Sequence, residues 1–338
     1  MIRHPLVREK SRWVAWVLPL LILMVCTHAR GDLTDSSQGA ALQWLKEMEQ
    51  AVAKLSYKGV VAYLKEQQVE SFQLFHSSSA GVEQERLVSM NSPLREVIRN
   101  ADKVSCYFPG SKKAFVEKKP GAQSVLVDLP DDLAQLTRYY KVDLQGQEYV
   151  AGRLSQVVGI EPRDKFRYAR LIWVDTSSKL PLKFELLDEE GQAVEQMVFT
   201  SVSVEESIAK ADLEPSMRAD SFTWQSTERE ALPLGSLRWT LQSVTEGFQI
   251  VSYSRVNRPS SSNKPAEHIL LSDGFSSVSI YIEAQKDSVS KEHPRKVGAI
   301  NAYTVKLDGY TVTVMGEVPA RTVQLIADGL KFHENRKP

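Results

Sequence analysis

Apolar side chains recur at Leu42, Leu45, Met48, Val52 and Leu55, the spacing of one helical face, so the patterned part of the chain opens with a helix. Ser36 or Ser37 can cap its start, and Gly59 lies beyond its end. The period then drops to two. "GVVAYLKEQQVESFQLFH" reads as a hairpin turning near residues 66–68, with Phe72, Leu74 and His76 alternating with Ser71, Gln73 and Phe75. "EQERLVSM", "REVIRN", "KVSCYF" and "KKAFVEK" are further short strands separated by Gly, Pro, Asn or Ser, the pattern of an antiparallel meander. A second helix is predicted in "LPDDLAQLTRYY". Pro130 suits an early helical position, Asp131 and Asp132 suit its positive end, and Leu133 and Leu136 share a face.

Strands resume in "EYVAGRLSQVVGIEP" and "FRYARLIWVD" and run on through "WVDTSSKLPLKFELLDEEGQAVEQMVFTSV" (173–202), three strands joined by two turns. There Leu182, Phe184 and Leu186 point one way and Lys183 and Glu185 the other, giving one apolar and one wet face. A meander with an apolar inner face and two short helices is a half-open barrel, able to enclose something apolar. Over 207–235 the period is lost among charges and prolines, which reads as a linker that Phe222 and Trp224 can dock. From 236 to 333 strands return in "SLRWTLQSV", "FQIVSYSRV", "HILLSDGFSSVSIYIE", "NAYTVKL" and "YTVTVMGEV". "RPSSSNKP" (258–265) reads as an exposed loop, and Pro319 opens a helix carrying Val323, Ile326 and Leu330 over the second sheet. The pattern is α+β, with domains over 30–206 and 236–333.

The segment ahead of this pattern is of another kind. Arg3, Arg8, Lys10 and Arg12 precede the apolar run "WVAWVLPLLILMVC" (13–26) and the small residues Thr27 and Ala29, so residues 1–29 read as a secretory signal cleaved after Ala29. Its 14 apolar residues fall short of the roughly 20 needed to span a bilayer. Val25 stands where a lipid-attachment motif ending at Cys26 needs Gly or Ala. Export, in a bacterium to the periplasm, is the expectation.

Removing the leader from the 338-residue chain leaves 309 residues with 38 basic and 41 acidic side chains, a net charge of −3. That balance carries no footprint for nucleic acid. Cys106 becomes the single cysteine, so no internal disulfide is available. It shares strand parity with Val104 and Phe108 and reads as a small buried hydrophobe.

Candidate chemistry is sparse. His76, His268, His293 and His333 each stand alone, without the spacing that sets two metal ligands on one helical face. There is no GxSxG elbow, and the SxxK matches "SIAK" (207–210) and "SSNK" (261–264) fall in linker and loop sequence. "PDD" and "LDEEG" are accounted for by a helix start and a turn. No catalytic residue, metal or cofactor is expected, which leaves binding as the use for the sheet.

Four stretches carry a resemblance: "VSMNSPLREVIRNADKVSCYFPG", "VAGRLSQVVGIEPRDKFRYARLIWVDTSSKLPLKFELLDEEGQAVEQMVFTSV", "LLSDGFSSVSIYIE" and "VTVMGEVPARTVQLIADGLKF". They resemble the RseB/MucB family of periplasmic sigma-E regulatory proteins over nearly the whole mature chain. One departure is "SVTEGF", with Glu246, where the family has a proline-bearing "LPxGF". The resemblance implies an N-terminal domain like the lipoprotein carrier LolA and a smaller, sandwich-like C-terminal α/β domain. It also implies a non-catalytic role: binding the periplasmic part of a membrane anti-sigma factor (RseA or MucA), shielding it from the site-1 protease, and letting go in response to lipopolysaccharide or related amphiphiles. On that footing Phe72, Leu74, Leu171, Trp173, Leu182, Phe184 and Leu186 are candidates for lining an acyl-chain cavity. Arg255, Arg258, Phe275 and Tyr281 are candidates for the protein contact. The oligomeric state stays open, a homodimer included, and a lipid or lipoprotein carrier is the competing reading.

Overall fold

The computed structural model describes residues 30–65, 68–79, 81–118, 126, 129–130, 132–226, 228–257, 265–284 and 293–333. The leader 1–29 and Arg258 lie outside them. Helix α1 (Arg30–Lys54) buries Leu45, Met48 and Val52 of the expected stripe together with Ala41 and Ala51, while Leu42 is half-buried and Leu55 lies past the helix end. It starts ahead of Ser36 and stops at Lys54, and Gly59 lies inside the following strand instead of closing the helix. That strand needs a glycine there: a Cβ on Gly59 would stand 2.3 Å from the Ser201 carbonyl oxygen and 2.9 Å from the Phe199 ring.

Among the described residues the first sheet holds β1 (Ser56–Lys65), β2 (Gln68–Ser79), β3 (Val82–Ser89), β4 (Glu96–Asn100), β5 (Lys103–Phe108), β6 (Lys113–Lys118), β7 (Tyr140–Val150), β8 (Arg153–Pro162), β9 (Ala169–Asp175), β10 (Pro181–Leu187), β11 (Ala193–Glu205) and β12 (Thr223–Ser226), in the order β12-β6-β5-β4-β3-β2-β1-β11-β10-β9-β8-β7. The two ends, β12 and β7, do not pair with each other, so the sheet is open and not a closed barrel. All its pairings are antiparallel except β12 on β6. Helix α2 (Leu133–Tyr139) precedes β7; its N-cap is Asp132, whose carboxylate accepts the Ala134 N–H at 2.9 Å.

Segment 207–235, read above as a linker, carries structure of its own. Helix α3 (Lys210–Leu213) sets Leu213 with Ile208 and Phe75, β12 docks through Phe222 and Trp224 on the edges of the Tyr107 ring, and β13 (Glu228–Ala231) already belongs to the second sheet. Strands of four residues are too short to show a period, which is why the sequence pattern missed them.

The second sheet runs β13-β15-β16-β17-β20-β19-β18, with β15 (Gln249–Asn257), β16 (Ala266–Ser272), β17 (Ser277–Ala284), β18 (His293–Val297), β19 (Ile300–Leu307) and β20 (Tyr310–Gly316). Its pairings are antiparallel throughout, so this domain too is α+β rather than α/β. Helix α4 (Ala320–Asp328) lays Val323 and Ile326 on Ile280, Val312 and Val314. Leu330, expected on that helix, lies past Gly329 in β21 (Leu330–Phe332), which pairs with β14 (Trp239–Leu241).

Two outcomes test this packing. Leu45→Ala removes a side chain with no exposed surface from under the sheet and is expected to lower unfolding free energy by about 2–5 kcal/mol in urea titration. In the β9–β10 turn, burial opposes ionisation of Asp175, but hydrogen bonds from Arg153 (2.7 Å) and from the Ser178 hydroxyl (2.5 Å) and N–H (3.0 Å) overcome it and hold the carboxyl below its ordinary range. A depressed native value stabilises fully above the unfolded value of about 4, and the stabilisation fades as pH falls from there through the lower native value. Asp175→Asn should therefore lower the denaturation midpoint at pH 6, and its gap to the wild type should narrow steadily as the pH is taken below about 4.

Candidate functional site

The β8–β9 loop, "EPRDKFRYAR", is where the first sheet meets the second. Asp164 turns it by accepting the Phe166 N–H at 2.9 Å, which presents Arg167 toward the other domain. The Arg167 side chain has no exposed surface. Its Nε donates to Asp273 Oδ2 at 2.5 Å, Nη1 pairs with Asp164, and Nη2 donates to the Glu246 carbonyl. The rings of Tyr139 and Phe248 lie 4.9 and 5.0 Å from the guanidinium carbon. Asp273 is equally engaged: Oδ1 accepts the N–H groups of Phe275 (2.8 Å) and Ser276 (2.6 Å), and Oδ2 also accepts the Tyr140 hydroxyl at 3.0 Å. The "SVTEGF" departure leaves the turn intact. Gly247 adopts φ +91° there, and a Cβ on it would strike the Tyr139 ring at 2.5 Å.

Two more contacts extend the joint. Asn301 Nδ2 donates to the Tyr168 hydroxyl at 2.8 Å, and Thr322 Oγ1 to the Phe166 carbonyl at 2.8 Å. Tyr168, Leu186 and Ala299 form a small buried cluster between them.

Beside this joint the two sheets enclose a cavity of about 500 Å³. The first domain contributes Tyr63, Ile172, Phe184 and Met197, the second Phe275, Tyr281, Ile300 and Met315, with Leu126 and Leu129 closing one side. Two thioethers among the walls suit an occupant of irregular shape. Charges line it as well. Glu195 Oε1 accepts the Tyr63 hydroxyl at 2.5 Å and lies 3.5 Å from Lys65 Nζ. Glu317 faces it, its carboxyl pushed above the ordinary range by the surrounding protein and then by Glu195, against the pull of Arg170 and Lys65. Arg170 stacks its guanidinium 3.8 Å over the Phe275 ring.

The register sorts the candidate residues. Phe184 pairs with Ile172 and Leu186 with Arg170, on the face that α1 covers, whereas Trp173 pairs with Lys183 and Leu171 with Glu185 and so lie on the other face. The seven apolar candidates therefore do not share one surface. Phe184 lines the cavity and Leu186 is sealed in the joint. Leu74, Trp173 and Leu182 are fully packed in a core with Phe199 and Tyr57, Leu182 at a register shift of β10. The Lys183 ammonium covers the Trp173 ring at 3.9 Å, so even the wet face is closed there. Leu171 borders a separate hollow of about 590 Å³ near Asp164 and Asp188, and Phe72 lies under Arg95. Of the second group, Phe275 and Tyr281 join Phe184 at the cavity, while Arg255 is exposed and paired with Glu230 at 2.7 Å. Cys106 is half-buried, and burial first, then Glu117, raises its thiol. Arg170 and Glu195, which the sequence reading passed over, carried a signal: each occupies the apolar phase of its strand, in line with Ile172 and with Met197 and Phe199.

A two-domain α+β protein with a cleft at its joint is the class these features define. The family model "MucB/RseB N-terminal domain" matches residues 40–217 and "MucB/RseB C-terminal domain" matches 234–331, so the chain belongs to the MucB/RseB family. Sigma-E factor regulatory protein RseB of Escherichia coli K12 is 29% identical over 333 residues, covering 96% of this chain and 98% of that protein. Sigma factor AlgU regulatory protein MucB of Pseudomonas aeruginosa is 26% identical, covering 85% and 89%. Among solved structures, the P. aeruginosa MucA/MucB complex superposes with a TM-score of 0.70 and MucB in complex with MucA(peri) with 0.68, each at 24% identity over 87% of this chain and 99% of that one. At that identity the likeness shows the fold.

The joint has a direct test. Asp273→Asn removes the fully buried one of the two carboxylates paired with Arg167, Asp164 remaining, a loss of up to about 3–5 kcal/mol. Expected are a larger radius of gyration by small-angle scattering and two separated thermal transitions in place of one.

Proposed function

We propose that this chain is a non-enzymatic periplasmic regulator that holds the periplasmic segment of an RseA/MucA-like anti-sigma factor in the cleft between its two sheets, shields it from site-1 proteolysis, and so keeps a sigma-E-type stress response silent. The observation that carries this reading is that the cleft takes its walls from both family domains, and relatives containing both are named as sigma factor regulators. The MucB structure with MucA(peri) supports a partner of the same kind. Phe184, Phe275 and Tyr281 are the anchors, since aromatic side chains in a cleft supply large apolar contact with few rotors to freeze.

Lipopolysaccharide or another acylated amphiphile acts as the release signal in this reading, by inserting against the apolar part of the cleft that carries Phe184. Each acyl CH₂ taken from water contributes about 0.8 kcal/mol, so a partly inserted chain supplies several kcal/mol. Release requires that this ligand favour the partner-free state by a comparable margin; equal affinity for both states shifts nothing.

The test titrates residues 30–338 with the periplasmic segment of the host's anti-sigma factor, with and without lipopolysaccharide, and follows cleavage of that segment by its site-1 protease. Expected are binding that lipopolysaccharide weakens, slower cleavage in the complex, and a loss of about tenfold or more in affinity for Phe184→Ala and Tyr281→Ala. Retained lipid binding with no affinity for the segment would point instead to a carrier.

A further inference from the structure

Two arginines of β9 and its preceding loop enter the joint, and they are treated differently. Arg167 has a partner at every face. Arg170 is 94% removed from solvent, borders the cavity, and has no such set. Its Nη1 is buried without a hydrogen-bond partner among the described residues. Its Nη2 reaches the Phe275 carbonyl and Ser276 Oγ only at 3.5 Å, the outer limit of a hydrogen bond. Asp273 is taken by Arg167 and Tyr140, and Glu317, which feels the charge of Arg170 in the same cavity, gives the Arg170 Nη1 no hydrogen bond. A buried guanidinium left in this state is costly unless something completes it.

We propose that Arg170, held flat against Phe275, is the anchor for an acidic side chain of the peptide segment that occupies the cleft. This rests on the reading of the cleft as the anti-sigma site and adds the chemistry that selects the occupant: an apolar segment carrying a carboxylate placed to meet the guanidinium where Arg170 borders the cavity. A guanidinium with a free edge recognises a carboxylate in a fixed plane, which a lysine cannot reproduce. The rest of the wall favours a peptide over an acyl chain. Glu195, Gln196, Ser277 and Ser279 also face the cavity, and hydrocarbon laid against them would strip their water and offer nothing in return, whereas a peptide brings its own N–H and C=O groups.

The experiment measures affinity of residues 30–338 for the host anti-sigma factor's periplasmic segment by calorimetry, using wild type, Arg170→Met and Arg170→Lys. Each is tested against segments with every Asp and Glu changed singly to Asn or Gln. Expected is a loss of about thirtyfold for Arg170→Met and an intermediate loss for Arg170→Lys. One acidic position of the segment should give a similar loss on its own and add nothing on top of Arg170→Met. Wild-type affinity in Arg170→Met overturns the proposal and leaves the cleft reading standing. So does a loss that adds fully to every acidic substitution, which would make Arg170 a structural brace. Absence of wild-type binding overturns both. Arg170-dependent binding of palmitate or lipopolysaccharide, without any acidic position of the segment being coupled, would assign the guanidinium to an amphiphile and overturn the peptide assignment.

Discussion

The ion pair of Arg167 with Asp273 is the constraint on which the arrangement of this molecule depends. Both side chains are wholly withdrawn from solvent, and a buried charge is tolerable only when matched in charge and in hydrogen bonding. Every neighbour serves that match: Asp164 and the Glu246 carbonyl on the arginine, Tyr140 and two backbone N–H groups on the aspartate, and aromatic rings across the guanidinium. Four separate parts of the chain must be in place together for the pair to exist, so it selects one orientation of the two sheets more sharply than apolar contact alone would.

The cleft follows from that orientation. The first sheet presents to the cavity the face on which α1 packs, through Ile172 and Phe184, whereas the second presents the face opposite the one α4 covers, since Ser279, Tyr281 and Met315 alternate with Ile280, Ile282 and Val314 of its core. What results is a wall of aromatic, aliphatic and thioether groups with a few charges drawn from both domains. A site assembled in this way is sensitive to any change in the angle between the domains.

Polarity inside this molecule is distributed with purpose at two scales. Trp173 shows the local one: its indole N–H donates to Glu148 at 2.8 Å while Lys183 covers the ring, so a large aromatic is buried on the face that alternation marks as wet. The contrast between Arg167 and Arg170 shows the larger one. Two arginines three residues apart enter the same joint, one saturated and holding it together, the other incompletely partnered beside an open cavity.

Much was legible in the chain itself. Period 3.6 marked the core stripe of α1, period 2 marked the strands from 140 to 202, and Gly and Pro marked the turns, because local periodicity is set by which side chains must be buried in each element. The family could be read from motifs in both halves. Periodicity is silent on partners outside the element, and there the tertiary structure decided. It placed Leu171 and Trp173 on the face opposite Phe184, through pairing register; it gave 207–235 short strands in both sheets; and it turned Phe275 from a surface candidate into part of the joint. Arg170 and Glu195 were visible as charges in the apolar phase of their strands, but only the docking of a second sheet, more than 100 residues away in sequence for Arg170, shows what those charges face.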